Sequence, residues 1–394
     1  MSRRTKIIIA ILGIALLIAI AVFLYFYFFG ASATTPSAGE FPTTPDLGQT
    51  PTETIPTPIG EGGKGPRLVK LADGPVAGAV TGKVQGNLVV RYLESASGNA
   101  FEVAVETLSR RRLTNTTIPK VEEVLWNKAG SALIARYLKD DNETIVSFVA
   151  TIKPGVAEAP GELVGSFLPA KIESVSASPS GKEFAYLRKE GTHATLIVAP
   201  FSGSPKTEVF RSDLLEWTPL WFRDSTIALL SKPSALANGL LLFINRATGA
   251  SETVLSGIPG LTALPSPTGE RIFISASSAT AFTAGVFNRK SNTSIDITPP
   301  TLPEKCVFEK NGVTLICGVP TALPRATYPD AWYQGSISFN DEFWELSSAN
   351  GIAKLLLATS EPLDLVSPQL NADETHLIFI NKKDGSLWSF RIEE

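Results

Sequence analysis

Residues able to do chemistry are few in this 394-residue chain, which holds two histidines and two cysteines. The stretch Ser178-Pro179-Ser180-Gly181-Lys182 ends in the Gly-Lys pair of a phosphate-binding loop. Such a loop needs G-x-x-x-x-G-K-[ST], where glycines bare backbone amides to the phosphates and the last hydroxyl binds magnesium. Here Ser176 stands where the first glycine belongs and Glu183 where the hydroxyl residue belongs, so the phosphate reading fails. A G-x-S-x-G nucleophile elbow is absent. His193 falls between strand-like runs and His376 opens one, and neither belongs to a zinc pattern with the cysteines. Asp140-Asp141-Asn142-Glu143 offers the oxygen ligands that calcium takes. Its place between RYLK and TIVSFVATI reads better as a charged hairpin loop. No catalytic, metal-binding or cofactor-binding residue is assigned, no cofactor is expected, and the chain is expected not to be an enzyme.

The cysteines carry more information. Cys306 and Cys317 lie symmetrically about Asn311-Gly312. If that dipeptide turns a two-residue hairpin, the cysteines face each other on paired strands. Opposed residues stand roughly 4.5–5.5 Å apart between Cα atoms, within disulfide reach. A Cys306–Cys317 disulfide is expected, with two buried free thiols as the alternative.

Composition places these residues. A formal net charge of −3 lacks the basic footprint of a nucleic-acid binder. Residues 7–29, IIIAILGIALLIAIAVFLYFYFF, carry neither charge nor proline. As a helix they would span roughly 34 Å, enough for a hydrocarbon core of about 30 Å. Arg3, Arg4 and Lys6 precede them, which puts residues 1–6 in the cytoplasm and everything after residue 30 outside. The expected address is therefore the cell membrane, by a single pass. Ala31-Ser32-Ala33 resembles a signal cleavage site, but the apolar run exceeds the usual signal core of about 7–15 residues. Residues 30–65, rich in Pro, Thr and Gly, read as a disordered, extended stalk.

The remaining residues, 66–394, repeat. SPSG (178–181), SPTG (266–269), NKAG (127–130) and EKNG (309–312) each lead, three residues on, into an apolar run. NADE (371–374) and FRDS (222–225) are variants, and VQG (84–86) is a looser one. The runs start at Leu88, Leu133, Phe184, Ile227, Ile272, Leu315 and Leu377, giving intervals of 45, 51, 43, 45, 43 and 62. Short strands between turn formers, at a period near 45, are the signature of propeller blades. The last unit stops after its third strand, and residues 67–72 can supply the fourth beside 386–392. The expected fold class is all-β, a seven-bladed propeller, with six or eight blades left open by the weak first turn.

These turns resemble the PD-repeat of TolB-like propellers, whose blades carry a W-S-P-D-G-K turn before an apolar strand. Trp126 and Trp221 keep the leading position, while Ala177, Pro265, Phe308 and Leu370 replace it elsewhere. The family's aspartate survives at Asp373 and Asp224; Ser180, Thr268 and Asn311 are turn formers in its place. The resemblance implies a binding platform for proteins or a substrate-gating domain. Fold alone does not choose a function.

The interval of 62 marks an insertion at 319–340, between the second and third strands of the sixth unit. It carries Arg325, Tyr328, Asp330, Trp332, Tyr333 and Phe339, the composition of an interface anchor. The same aromatics could instead pack down over the sixth unit and bury Trp332. Segment 153–170 and Trp217 are expected on the same face, at links between units. The leading expectation is a monomeric, membrane-anchored, non-catalytic module that binds a protein or glycan of the cell envelope. An extracytoplasmic glycan hydrolase or lyase, acting in the propeller channel, is the alternative.

Overall fold

In the computed structural model the described residues are 65–156 and 159–393. The expected tail, membrane helix and stalk as far as residue 64 lie outside them. Among the described residues no helix is long and apolar enough to cross a membrane.

Seven four-stranded antiparallel sheets form the domain. Six are built from consecutive strands, and the first strands of successive sheets pack beside one another, so they line the centre of a ring. The seventh takes its outermost strand, Leu68–Ala72, from the start of the domain and pairs it with Leu387–Arg391. This closure, legible from the missing fourth strand, leaves no unpaired sheet at the seam.

Second strands are apolar on both faces because each blade is sandwiched between two neighbours. In Ala132–Leu138, Leu133 and Ala135 pack toward blade one while Ala132 and Ile134 pack toward blade three. The same division recurs around the ring, giving one apolar layer per pair of adjacent blades. Burial on both sides produces near-continuous apolar runs rather than alternation. For that reason these strands revealed the repeat.

The S-P-S-G-K stretch is a turn. Gly181 adopts φ +71°, and its amide closes on the Ser178 carbonyl at 2.8 Å. A Cβ there would lie 2.4 Å from that of Lys128 in the preceding blade, so both conformation and crowding require glycine. The Ser178 hydroxyl accepts the Glu183 amide and thereby serves the turn itself.

Three local expectations are corrected. Segment 153–170 is not an inter-blade link. It holds the end of the third strand (Ile145–Lys153), a turn and the fourth strand (Glu162–Phe167) of blade two. Its Pro and Gly mark a turn within a blade as readily as a link between blades. Trp217 opens the inner strand of blade four and is buried, with its indole turned back to the Ser212 hydroxyl at 3.0 Å. The turn around Asn311-Gly312 is longer than two residues, its last strand pair being Phe308 and Leu315. Its centre is unchanged, so Cys306 stands opposite Cys317, with Cα atoms 4.1 Å apart and the sulfurs joined.

Candidate functional site

One face of the ring carries both the links between blades and the connections from second to third strands. On it lies the insertion, residues 321–340; Val319 and Pro320 complete the second strand of blade six. Its only helical turn is Asp330–Tyr333.

The insertion, which belongs to blade six, is tied to three other blades. The Ala235 amide of blade four donates to the Asp330 carboxylate at 2.8 Å. From blade five, the Ser277 hydroxyl donates to the Tyr328 carbonyl, and the Thr280 carbonyl accepts the Ala326 amide at 3.2 Å. Lys382 of blade seven donates to the Trp332 carbonyl at 2.7 Å. Tyr328, Trp332 and Phe339 are buried in their own apolar cluster with Phe282 and Leu302. The packing-down alternative describes these three aromatics. Only Tyr333, 40% exposed, and Arg325 are left to solvent, while Asp330 is half-buried. The hydrophobic effect outweighs display here, since Trp332 has an apolar floor and a partner for its indole N–H.

Beneath the insertion sits a buried ionic cluster that sequence reasoning missed. Lys305, Asp341 and Asp364 are each at most 1% exposed. The Lys305 ammonium lies 2.6 Å from Asp341 and 2.5 Å from Asp364. Asp364 also accepts the Trp332 indole at 3.0 Å and the Phe339 amide at 3.0 Å. One oxygen of Asp341 accepts the Leu365 amide at 2.7 Å, while the other has no partner. Burial pushes the Asp341 carboxyl up to about 6, with Lys305 opposing it. Next to the cluster, Tyr333 turns its hydroxyl inward onto Glu304 while part of its ring stays exposed; burial at that contact raises both groups, and the Glu304 charge raises Tyr333 further. A signal was available in the sequence. Lys305, Asp341 and Asp364 are charges just before or at the starts of strands that run into the core, where an unpaired charge would be costly, although Glu304 and Glu342 adjoin the first two and blur the signal.

Blades two to four leave the rest of this face open. Lys189 lies 3.2 Å from Glu173 and 3.4 Å from Glu216, which in turn lies 3.4 Å from Lys232. Lys189 and Lys232 hold the Glu216 carboxyl below its ordinary range. The buried Arg136 pairs with Glu123 and donates to the carbonyls of Ile172 and Glu173 at 3.1 and 3.0 Å. Leu214 and Leu236 stand exposed beside this network, Leu236 at 91%. Inside the ring, a cavity of about 220 Å³ is lined by Ala77, Ala79, Glu123, Leu125, Ser367 and Gln369. Ser367 has φ +52° at a bulge between Val366 and Gln369.

Neither a family model nor a curated protein matches the sequence. Solved structures do match. Oligogalacturonate lyase from Vibrio parahaemolyticus aligns with TM-score 0.54 and 10% identity over 83% of this chain and 94% of that one. The β-propeller domain of Myceliophteria thermophila Cps50 (Swd1) aligns with TM-score 0.50 and 11% identity over 83% and 100%. TolB from Acinetobacter baumannii aligns with TM-score 0.41 and 11% identity over 80% and 79%. At these identities the likeness is one of fold.

That likeness corrects the expectation of a chain that is not an enzyme, because a lyase is built on the same fold. The inner strands, moreover, are not uniformly small and uncharged. The inner strand of blade two, Val121–Trp126, carries Glu122 and Glu123, and that of blade three, Ile172–Ala177, carries Glu173. Charge thus reaches the channel mouth from the starts of inner strands.

Proposed function

We propose that this chain is a single-pass membrane protein whose propeller, held outside the membrane, binds a protein partner on the link-bearing face. The observation that carries this reading is the contrast across that face. Blades four to seven are sealed by the pinned insertion, whereas blades two to four expose Leu214 and Leu236 around the Glu173–Lys189–Glu216–Lys232 network. Exposed apolar side chains beside partly exposed ion pairs suit a protein interface, which has an apolar centre and a polar rim. The uncharged run 7–29, behind Arg3, Arg4 and Lys6, supports the anchor and its orientation.

In-cell crosslinking of the full chain tests the surface. Leu214→Asp with Leu236→Asp should remove the partners captured by the unaltered protein while leaving the thermal midpoint unchanged. An unchanged partner set rejects this surface. A second reading, turnover of a glycan in the channel, draws on Glu123, Arg136 and the strained Ser367 at the cavity wall. Oligosaccharide cleavage by the unaltered chain that is lost in Glu123→Gln would favour it.

A further inference from the structure

A second cavity, about 120 Å³, opens at the seam where the ring closes. Its walls are Leu71 and Asp73 of the closing strand and its link, and Tyr92, Glu94, Leu108 and Arg110 of blade one. Two donors there lack partners. Tyr92 is 1% exposed, and its hydroxyl makes no hydrogen bond. The buried Nε of Arg110 also makes none. Both groups are held in place. Arg110 stacks 3.8 Å over the Phe101 ring and reaches Glu94 at 3.2 Å, while the Tyr92 ring lies 5.6 Å from Phe101. Burial pushes the Tyr92 phenol up to about 12, so it keeps its proton at neutral pH.

Buried donors without acceptors are rare in folded proteins, because leaving them unpaired costs stability. A guest must therefore offer an oxygen to Tyr92 and Arg110. Glu94 lies between these donors and the Ser97 hydroxyl, which it accepts at 2.7 Å, and its carboxylate has lone pairs to spare. Asp73 adds a second carboxylate at the rim. An anionic guest would meet both acids, whereas a hydroxyl pair can accept from Arg110 and Tyr92 and donate to Glu94. Leu71 and Leu108 suit the carbon skeleton.

We propose that this cavity binds a small neutral polyol or the hydroxylated edge of a sugar ring. Because the guest would touch both the closing strand and blade one, its binding would also favour the closed ring.

Calorimetric titration and thermal unfolding of the full chain with glycerol, glucose and galactose test this, with acetate as the anionic control. At least one neutral probe should bind saturably and raise the thermal midpoint. Tyr92→Phe removes only an unpartnered hydroxyl and should weaken that binding roughly tenfold without lowering the midpoint of the free protein. Arg110→Lys, which keeps the charge beside Glu94 but removes Nε, should weaken it similarly. Equal binding by both variants, stronger binding of acetate, or no saturable binding below about 100 mM would each overturn the proposal. So would a high-resolution crystal soaked in these probes that shows only water on Tyr92 and Arg110.

Discussion

Asp341 and Asp364 share one ammonium, yet they are not equivalent. Asp364 is satisfied through both oxygens by Lys305, the Trp332 indole and the Phe339 amide, whereas Asp341 has one oxygen with no donor. With three ionised groups the cluster would carry one excess negative charge in a dry site. The proton that relieves it goes to Asp341, raised by burial from 3.8 to about 6. A carboxyl whose folded pKa is raised contributes stability that is complete below its unfolded value and is lost as pH rises through the folded one. Asp341→Asn removes this titration. The stability of the unaltered protein relative to the variant should therefore fall between pH 4 and pH 7, by up to about 3 kcal/mol. Urea unfolding across that range measures the difference, and parallel pH profiles for the two proteins would contradict the assignment.

At the scale of the element, the insertion is a roof with its own core. Trp332 is its keystone: it caps the Lys305 ammonium at 5.1 Å, satisfies Asp364 and receives Lys382. Trp332→Ala should cost about 3–5 kcal/mol locally, and it would leave Asp364 short of a donor. Because the seven inter-blade layers do not include this cluster, the loss should be confined to the roof. Hydrogen exchange should show 321–340 losing protection while the second strands keep theirs; unaltered protection in the insertion would mean the tryptophan does not hold it down. The interval of 62 placed this insertion between the right strands. Whether its aromatics faced out or in was not legible, because the same residue types serve an interface and a core. Their partners, Lys305 and Asp364, are remote in sequence.

For the whole molecule, closure rests on five residues. Leu68–Ala72 covers the edge of Leu387–Arg391, and Leu71 is buried in the layer between blades seven and one. Replacing Leu68–Ala72 by a Gly-Ser segment in the full chain should open that seam, lower the thermal midpoint and make the protein associate through the bared edge. A monodisperse protein with an unchanged midpoint, by light scattering and calorimetry, would show that closure is dispensable.

The sequence by itself determined the all-β class, the blade period, the closing strand and the opposition of Cys306 to Cys317. Each depends on local patterning: apolar runs buried on both faces, turns that need Gly or Asn, and a register symmetric about its turn. Only the tertiary structure decided that the inner strands of blades two and three bring Glu123 and Glu173 to the channel mouth. It also decided that the insertion roofs a Lys305–Asp341–Asp364 cluster. Such groupings join side chains remote in sequence, and what brings them together is the packing of adjacent blades and their links, which no local pattern encodes.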